Sequence, residues 1–252
     1  MNEDLYIAKD TNHMGDSAAD AAHMAKQTIS QAPVDALIGP LNPVERKFAP
    51  PILYYSGDRT IFNHPRVSIV GSRQPSESGL QKASDITKEL VRHGIVIVSG
   101  LARGIDTIAH SITIEHHGRT IACLGTPLDK TYPAENRSLQ ETIMQHHLAI
   151  SQFEQGSTVT PNNFRQRNRT MALISHATII IEAGEKSGTI HQAWEAIRLG
   201  RPLFIADHLF DDPKLTWPHK LAEYGARLLR IDDVEQIIEE LPSQGTMTNV
   251  TL

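Results

Sequence analysis

The sequence predicts an α/β protein with a doubly wound, mostly parallel sheet and helices on both faces. Three observations predict it. Short runs of consecutive apolar residues recur along the 252-residue chain, as expected of strands covered on both faces. Helix-length amphipathic segments separate these runs, and the strand-plus-helix period of roughly 25–30 residues is that of a doubly wound sheet. Glycine-rich turns follow the runs directly, at what would be the carboxyl ends of parallel strands, where open α/β sheets bind ligands.

Taken in order, residues 1–50 read as an N-terminal arm, partly helical, lying on the main domain. Residues 17–32 have helical character, and Pro33, Pro40, Pro43, Pro50 and Pro51 cut the rest into extended pieces. The main domain runs over 51–241. Residues 51–58 make a short strand entering the core. The principal strands are 67–70, 95–98, 120–124, 148–151, 178–181 and 203–206, with 228–231 as a short edge strand. The helices are 79–93, 104–116, 135–146, 167–175 and 189–199, with a last one at 233–241. Residues 242–252 form a polar tail.

Composition narrows the partners. The formal net charge is −5, so a site for a polyanion has to be a local concentration of arginine and lysine on an acidic background. The single cysteine, Cys123, rules out an intrachain disulfide and fits a small core residue in a reducing cytoplasm. No run approaches the roughly 18–20 apolar residues that span a bilayer, and the N-terminus lacks a signal peptide's basic start and apolar core. A cytoplasmic protein with no membrane partner is expected.

Four strand-following loops carry the candidate chemistry. The first is Gly71-Ser72-Arg73. The second runs from Ser99 and Gly100 to Arg103 and Gly104, and the third from Gly125 through Lys130 to Asn136. The fourth, from Glu182 through Ser187, Gly188 and Thr189, opens a helix. Glycine alone is explained by tight turns. Four such loops at matched positions, with Arg73, Arg103 and Lys130 among them, point instead to one phosphate-binding groove, since helix N-termini and arginine forks both favour anions. Phe164, Arg165, Arg167, Asn168 and Arg169 form the densest basic cluster. Placed where a loop becomes a helix, Arg167 and Asn168 would face a bound backbone and Phe164 would offer a face to a base, a pattern suited to single-stranded nucleic acid. The plainer alternative is a solvated helix start with ion pairs.

Catalytic and metal constellations are missing. The 13 histidines include no pair at i,i+3 or i,i+4, so there is no helical zinc pair. There is no G-x-S-x-G elbow, no Walker lysine and no cysteine nucleophile with a local signature. Asp106 and His110 are spaced for an acid–base pair, but they serve better as supports of the second loop. Neither a metal, a cofactor nor a catalytic residue is expected.

Order and spacing of the motifs Ile69-Val70-Gly71-Ser72-Arg73, Val98 to His110, Leu128-Asp129, Tyr132-Pro133, Asn136, Phe164, Arg167-Asn168-Arg169, Glu182-Ala183, Ser187-Gly188 and Gly200-Arg201-Pro202 resemble the DprA (Smf) DNA-processing family, built on an extended Rossmann domain. The resemblance covers about residues 51–206. It implies a homodimer that binds single-stranded DNA and helps load a RecA-type recombinase during natural transformation. It further implies that Arg73 contacts phosphate, that the loop of Gly100 and Gly104 shapes the pocket, that Phe164 stacks on a base, and that Arg167 and Arg169 frame the groove. The chain departs from the family at Pro127, at Gln152, at Thr189 to Gln192 and at Asp207-His208. A rival reading is a nucleotide sensor or a phosphoribohydrolase of the wider Rossmann superfamily. Gln192 stands where that hydrolase needs a glutamate, and an amide cannot do a carboxylate's work.

Overall fold

In the computed structural model, residues 28–242 are described. They form one nine-stranded sheet with the order β1-β2-β6-β5-β4-β3-β7-β8-β9. The strands are β1 (Ser30–Pro33), β2 (Ile52–Gly57), β3 (Arg66–Val70), β4 (Val96–Ser99), β5 (Thr120–Leu124), β6 (Leu148–Ser151), β7 (Ala177–Ile180), β8 (Leu203–Ala206) and β9 (Arg227–Leu229). From β6 to β9 every neighbouring pair is parallel, whereas β2 lies antiparallel to β6 and β1 antiparallel to β2. The predicted α/β doubly wound sheet is therefore present.

The helices are α1 (Val34–Ile38), α2 (Pro43–Arg46), α3 (Glu77–Arg92), α4 (Ile105–Glu115), α5 (Arg137–His146), α6 (Pro161–Ile174), α7 (Gly188–Arg198), α8 (Trp217–Ala222) and α9 (Val234–Glu239). They divide between the two faces because successive strand residues point to opposite sides. Val96 and Val98 join Met171 and Ala193 in a core under α6 and α7. Ile97 joins Ala83, Ile86 and Ala109 in a second core under α3 and α4. Double coverage explains why β3 to β8 carry no polar–apolar alternation: all their residues are buried.

Two expectations change. Residues 30–32, read as the end of a helix, form β1, with Ala32 opposite Leu53. The pairing covers the free edge of β2 and overrides local helical propensity; residues 28 and 29 are not helical either, while 17–27 of that expected helix lie outside the described residues, as does the tail after 242. The helix expected at 167–175 begins six residues earlier, at Pro161, with proline in the first turn and Thr160 at the N-cap. No described helix is long and apolar enough to cross a membrane.

The strand order fixes where a ligand fits. The chain lays down β3, β4, β5 and β6 in one direction, then returns through α6 to place β7 on the other side of β3. The connections leaving β3 and β7 thus part at their carboxyl ends, opening the crevice of a topological switch point.

Candidate nucleic-acid interface

A pocket of about 310 Å3 occupies that crevice. Gly71 and Arg73 line it from the loop after β3, Ser187 from the loop after β7, Gly188 and Thr189 from the first turn of α7, and Phe164, Arg165, Arg167 and Asn168 from α6. Two of the glycine loops expected to meet do so through backbone. Gly104 sits at φ 75°, and a Cβ there would come 2.4 Å from the Ser72 carbonyl oxygen. The close approach lets the Ile105 amide donate to that oxygen at 3.2 Å. The first and second loops are thereby pinned to each other.

The three alternating arginines sit inside α6, where residues two apart diverge around the axis. Arg165 is exposed at the pocket. Arg167 is 5% exposed and acts as a brace. It donates to the carbonyls of Gly100 and Cys123, the latter at 3.0 Å, and to Asn168 Oδ1 at 3.0 Å. Gly100 has to be glycine for this, because a Cβ would fall 1.8 Å from Arg167 Nη1. Arg169 points away, to Glu195 at 2.9 Å.

Phe164 is 8% exposed. Its ring packs over Gly125, where a Cβ would approach to 2.6 Å, and meets Tyr132 at 5.2 Å between centroids. Arg73 and Arg167 each lie 6.0 Å from the ring centre. What reaches the pocket is a small part of a held ring. The Arg73 guanidinium makes no hydrogen bond or ion pair with a described residue.

The second and third loops form the wall behind. The Asp106 carboxylate accepts from the Gly100 amide at 3.1 Å and the Ala102 amide at 3.4 Å. Burial pushes its carboxyl above the ordinary value, opposed by the neighbouring Arg167 and by those amides. The Gly100 amide is therefore engaged with Asp106. His110 takes no part in an acid–base pair with Asp106: its Nδ1 meets the Thr120 hydroxyl at 2.7 Å. Asn136 donates to Leu101 O and Thr107 Oγ1, both at 2.9 Å. Ser99 donates to Ile69 O at 2.6 Å, and Arg103 forks onto Glu135. Ser72, Ser99, Gly100, Arg103, Gly104, Lys130, Asn136 and Arg169 lie outside the pocket lining, so eight of the expected residues surround the site.

Sequence reasoning missed Lys186, His191 and Met171, all of which line the pocket. Lys186 was the readable one, being a cation directly before the Ser187 that caps α7. Gln192 also lines it and donates from Nε2 to Ser68 Oγ at 2.8 Å. The N-terminus of α7 opens on the pocket, with Ser187 Oγ accepting from the Thr189 amide at 3.2 Å. The remaining chemistry is quiet. Burial pushes the Cys123 thiol up to about 12, far from thiolate at neutral pH. No group of three histidine, cysteine, aspartate or glutamate side chains able to hold a metal ion occurs among the described residues.

Comparison with known proteins places this geometry. Residues 40–242 match the family described as DNA recombination-mediator protein A. The chain is 36% identical over 197 residues to the DNA processing protein DprA of Bacillus subtilis, covering 78% of this chain and 66% of that protein. It thus spans just under two thirds of that relative. The solved DprA of Streptococcus pneumoniae superposes with a TM-score of 0.75 at 30% identity, over 88% of this chain and 78% of that one. DprA of Helicobacter pylori, described for its single-stranded DNA binding mode, superposes with a TM-score of 0.72 at 27% identity, over 86% and 99%. With the family match covering most of its length and the same fold in both solved relatives, this chain belongs to the DNA recombination-mediator protein A family, also known as DprA or Smf.

Proposed function

We propose that this chain binds single-stranded DNA at the pocket between the ends of β3 and β7. Arg73, Arg165 and Lys186 grip the sugar–phosphate backbone, and the N-terminus of α7 receives one phosphate. The carrying observation is the composition of that crevice: these three cations and a helix N-terminus line one pocket, and its acid, Asp106, is buried against two amides. Such a lining suits a polyanion. Phe164 contributes a small apolar surface against a base or sugar, and Arg167 holds the ring and the second loop in place. The protein works by binding rather than by catalysis, in the cytoplasm and as a homodimer, and passes its strand to a RecA-type recombinase during DNA uptake. Family membership and the H. pylori relative support this role.

Fluorescence anisotropy with oligo-dT, duplex and nucleoside monophosphates tests the reading. The single strand is expected to bind tightest, its log affinity falling with log salt by about 0.7 per phosphate neutralised. Absence of single-strand binding at low salt overturns it. A second reading, a small-nucleotide sensor, draws on the pocket volume of about 310 Å3, near the lower bound for small-ligand sites. Saturation by a monophosphate at micromolar concentration would favour it.

A further inference from the structure

The cationic face of α6 continues beyond the pocket. One turn after Arg165, Arg169 lies on the same side of the helix and reaches the ring of Phe48, 5.8 Å away. Phe48 follows α2 in the N-terminal arm and is 42% exposed. Its ring is also approached by Arg198 at 4.3 Å and by Lys47 at 5.3 Å. Beneath them the buried Glu195 accepts from Arg169 at 2.9 Å and pairs with Arg198 at 2.6 Å, holding both guanidinia beside the ring. One carboxylate against two arginines and Lys47 leaves the patch positive.

We propose that Phe48 and its three cations form a second nucleotide platform, which takes a base of the same single strand whose neighbouring nucleotides lie in the pocket. The inference rests on the pocket reading above and extends it. An aromatic ring 42% open to solvent and contacted by three cations suits stacking of any base, with the phosphates gripped beside it. A protein-binding core would instead set the aromatic among apolar groups and exclude lysine, whereas Lys47 lies at this ring. Arg165 at the pocket and Arg169 at Phe48 join the two sites along one helix face, so a strand leaving the pocket along α6 meets Phe48.

Anisotropy on the full chain with oligo-dT of about 4 to about 20 nucleotides tests the platform, because a pocket and a platform together define a site of that size range. Affinity is expected to rise once the oligomer outgrows the pocket. Phe48→Ala should remove about tenfold from the longest oligomer and leave the shortest unchanged, and Phe48→Tyr should restore the loss. Lys47→Gln should flatten the salt slope on long oligomers only. Wild-type behaviour of Phe48→Ala at every length overturns the proposal, as does an equal loss at every length. If that variant binds oligomers normally but sediments at lower mass, the surface belongs to self-association and the proposal fails. Failure of the wild-type chain to bind any oligomer removes the pocket reading as well. A silent Phe48→Ala beside a crippled Arg73→Ala removes the platform alone.

Discussion

Arg73 and Arg167 carry the same charge at the same pocket and do different work. Arg73 sits at the pocket without a hydrogen bond or ion pair to a described residue, whereas Arg167 is spent on the carbonyls of Gly100 and Cys123. Arg73→Ala is therefore expected to weaken oligonucleotide binding across all sequences and to change the unfolding free energy by no more than about 0.5 kcal/mol. Arg167→Ala should cost about 2–4 kcal/mol, because two buried carbonyls lose a charged donor. Binding should then fall together with stability. Urea titrations read beside anisotropy separate the two, and equal stability losses would refute the division. The sequence displayed the cluster of arginines but not their directions, since those depend on where α6 starts. Thr160 and Pro161 were a readable start signal. Burial of Phe164 was not readable, because it needs the missing Cβ of Gly125 on a distant strand end.

At the scale of elements, the loop bearing Arg73 is clamped at its far end by α3. Ser76 Oγ accepts from the Gly79 amide at 3.0 Å and donates to Glu182 Oε2 at 2.6 Å, while the Ser76 amide donates to Glu182 Oε1 at 3.0 Å. One serine thus caps α3 and ties the loop after β3 to the loop after β7, the two edges of the pocket. Ser76→Ala should cost about 1 kcal/mol as a lost cap. It should also lower oligonucleotide affinity several-fold with an unchanged salt slope, since no phosphate contact is removed. An altered slope would mean that Ser76 touches the strand. The parallel strands were legible as apolar runs because both their faces are buried. The pairing of β1 with β2 was not, since an edge strand at 30–33 is decided by its partner and carries little local signal. The crosslink between Ser76 and Glu182 was equally hidden, because the fold alone brings β3 beside β7.

For the molecule as a whole, a net charge of −5 coexists with a cationic crevice because the acids are placed elsewhere or buried. Its acid stability should be set by histidines held neutral inside. His110 is fully buried; Thr120 spends its hydroxyl proton on Ile97 O at 2.8 Å, so it accepts from His110 Nδ1–H. Nε2 is buried without a hydrogen-bond partner, and the Ser99 backbone nearby offsets only part of the cost of placing a charge there. Burial pulls His110 down from 6.5 to about 3, and it does the same to His176, whose Nδ1 accepts from the Arg66 amide at 3.0 Å. Both are depressed in the fold, so the stability they contribute is complete above 6.5 and drains as pH falls toward about 3. At pH 5 each should have cost about 2 kcal/mol, at 1.4 kcal/mol per pH unit. Carboxylates held low by ion pairs, such as Glu135 and Asp207, lose their share only at more acid pH, and the raised Asp106 works in the opposite sense. Between pH 6.5 and 5 the slope therefore belongs mainly to histidine. Urea midpoints taken at intervals from pH 8 to 5 should fall more steeply for the wild type than for His110→Gln, by about one proton. Equal slopes would show that His110 already carries its proton in the folded chain, and the closed environment around Nε2 would then have to open.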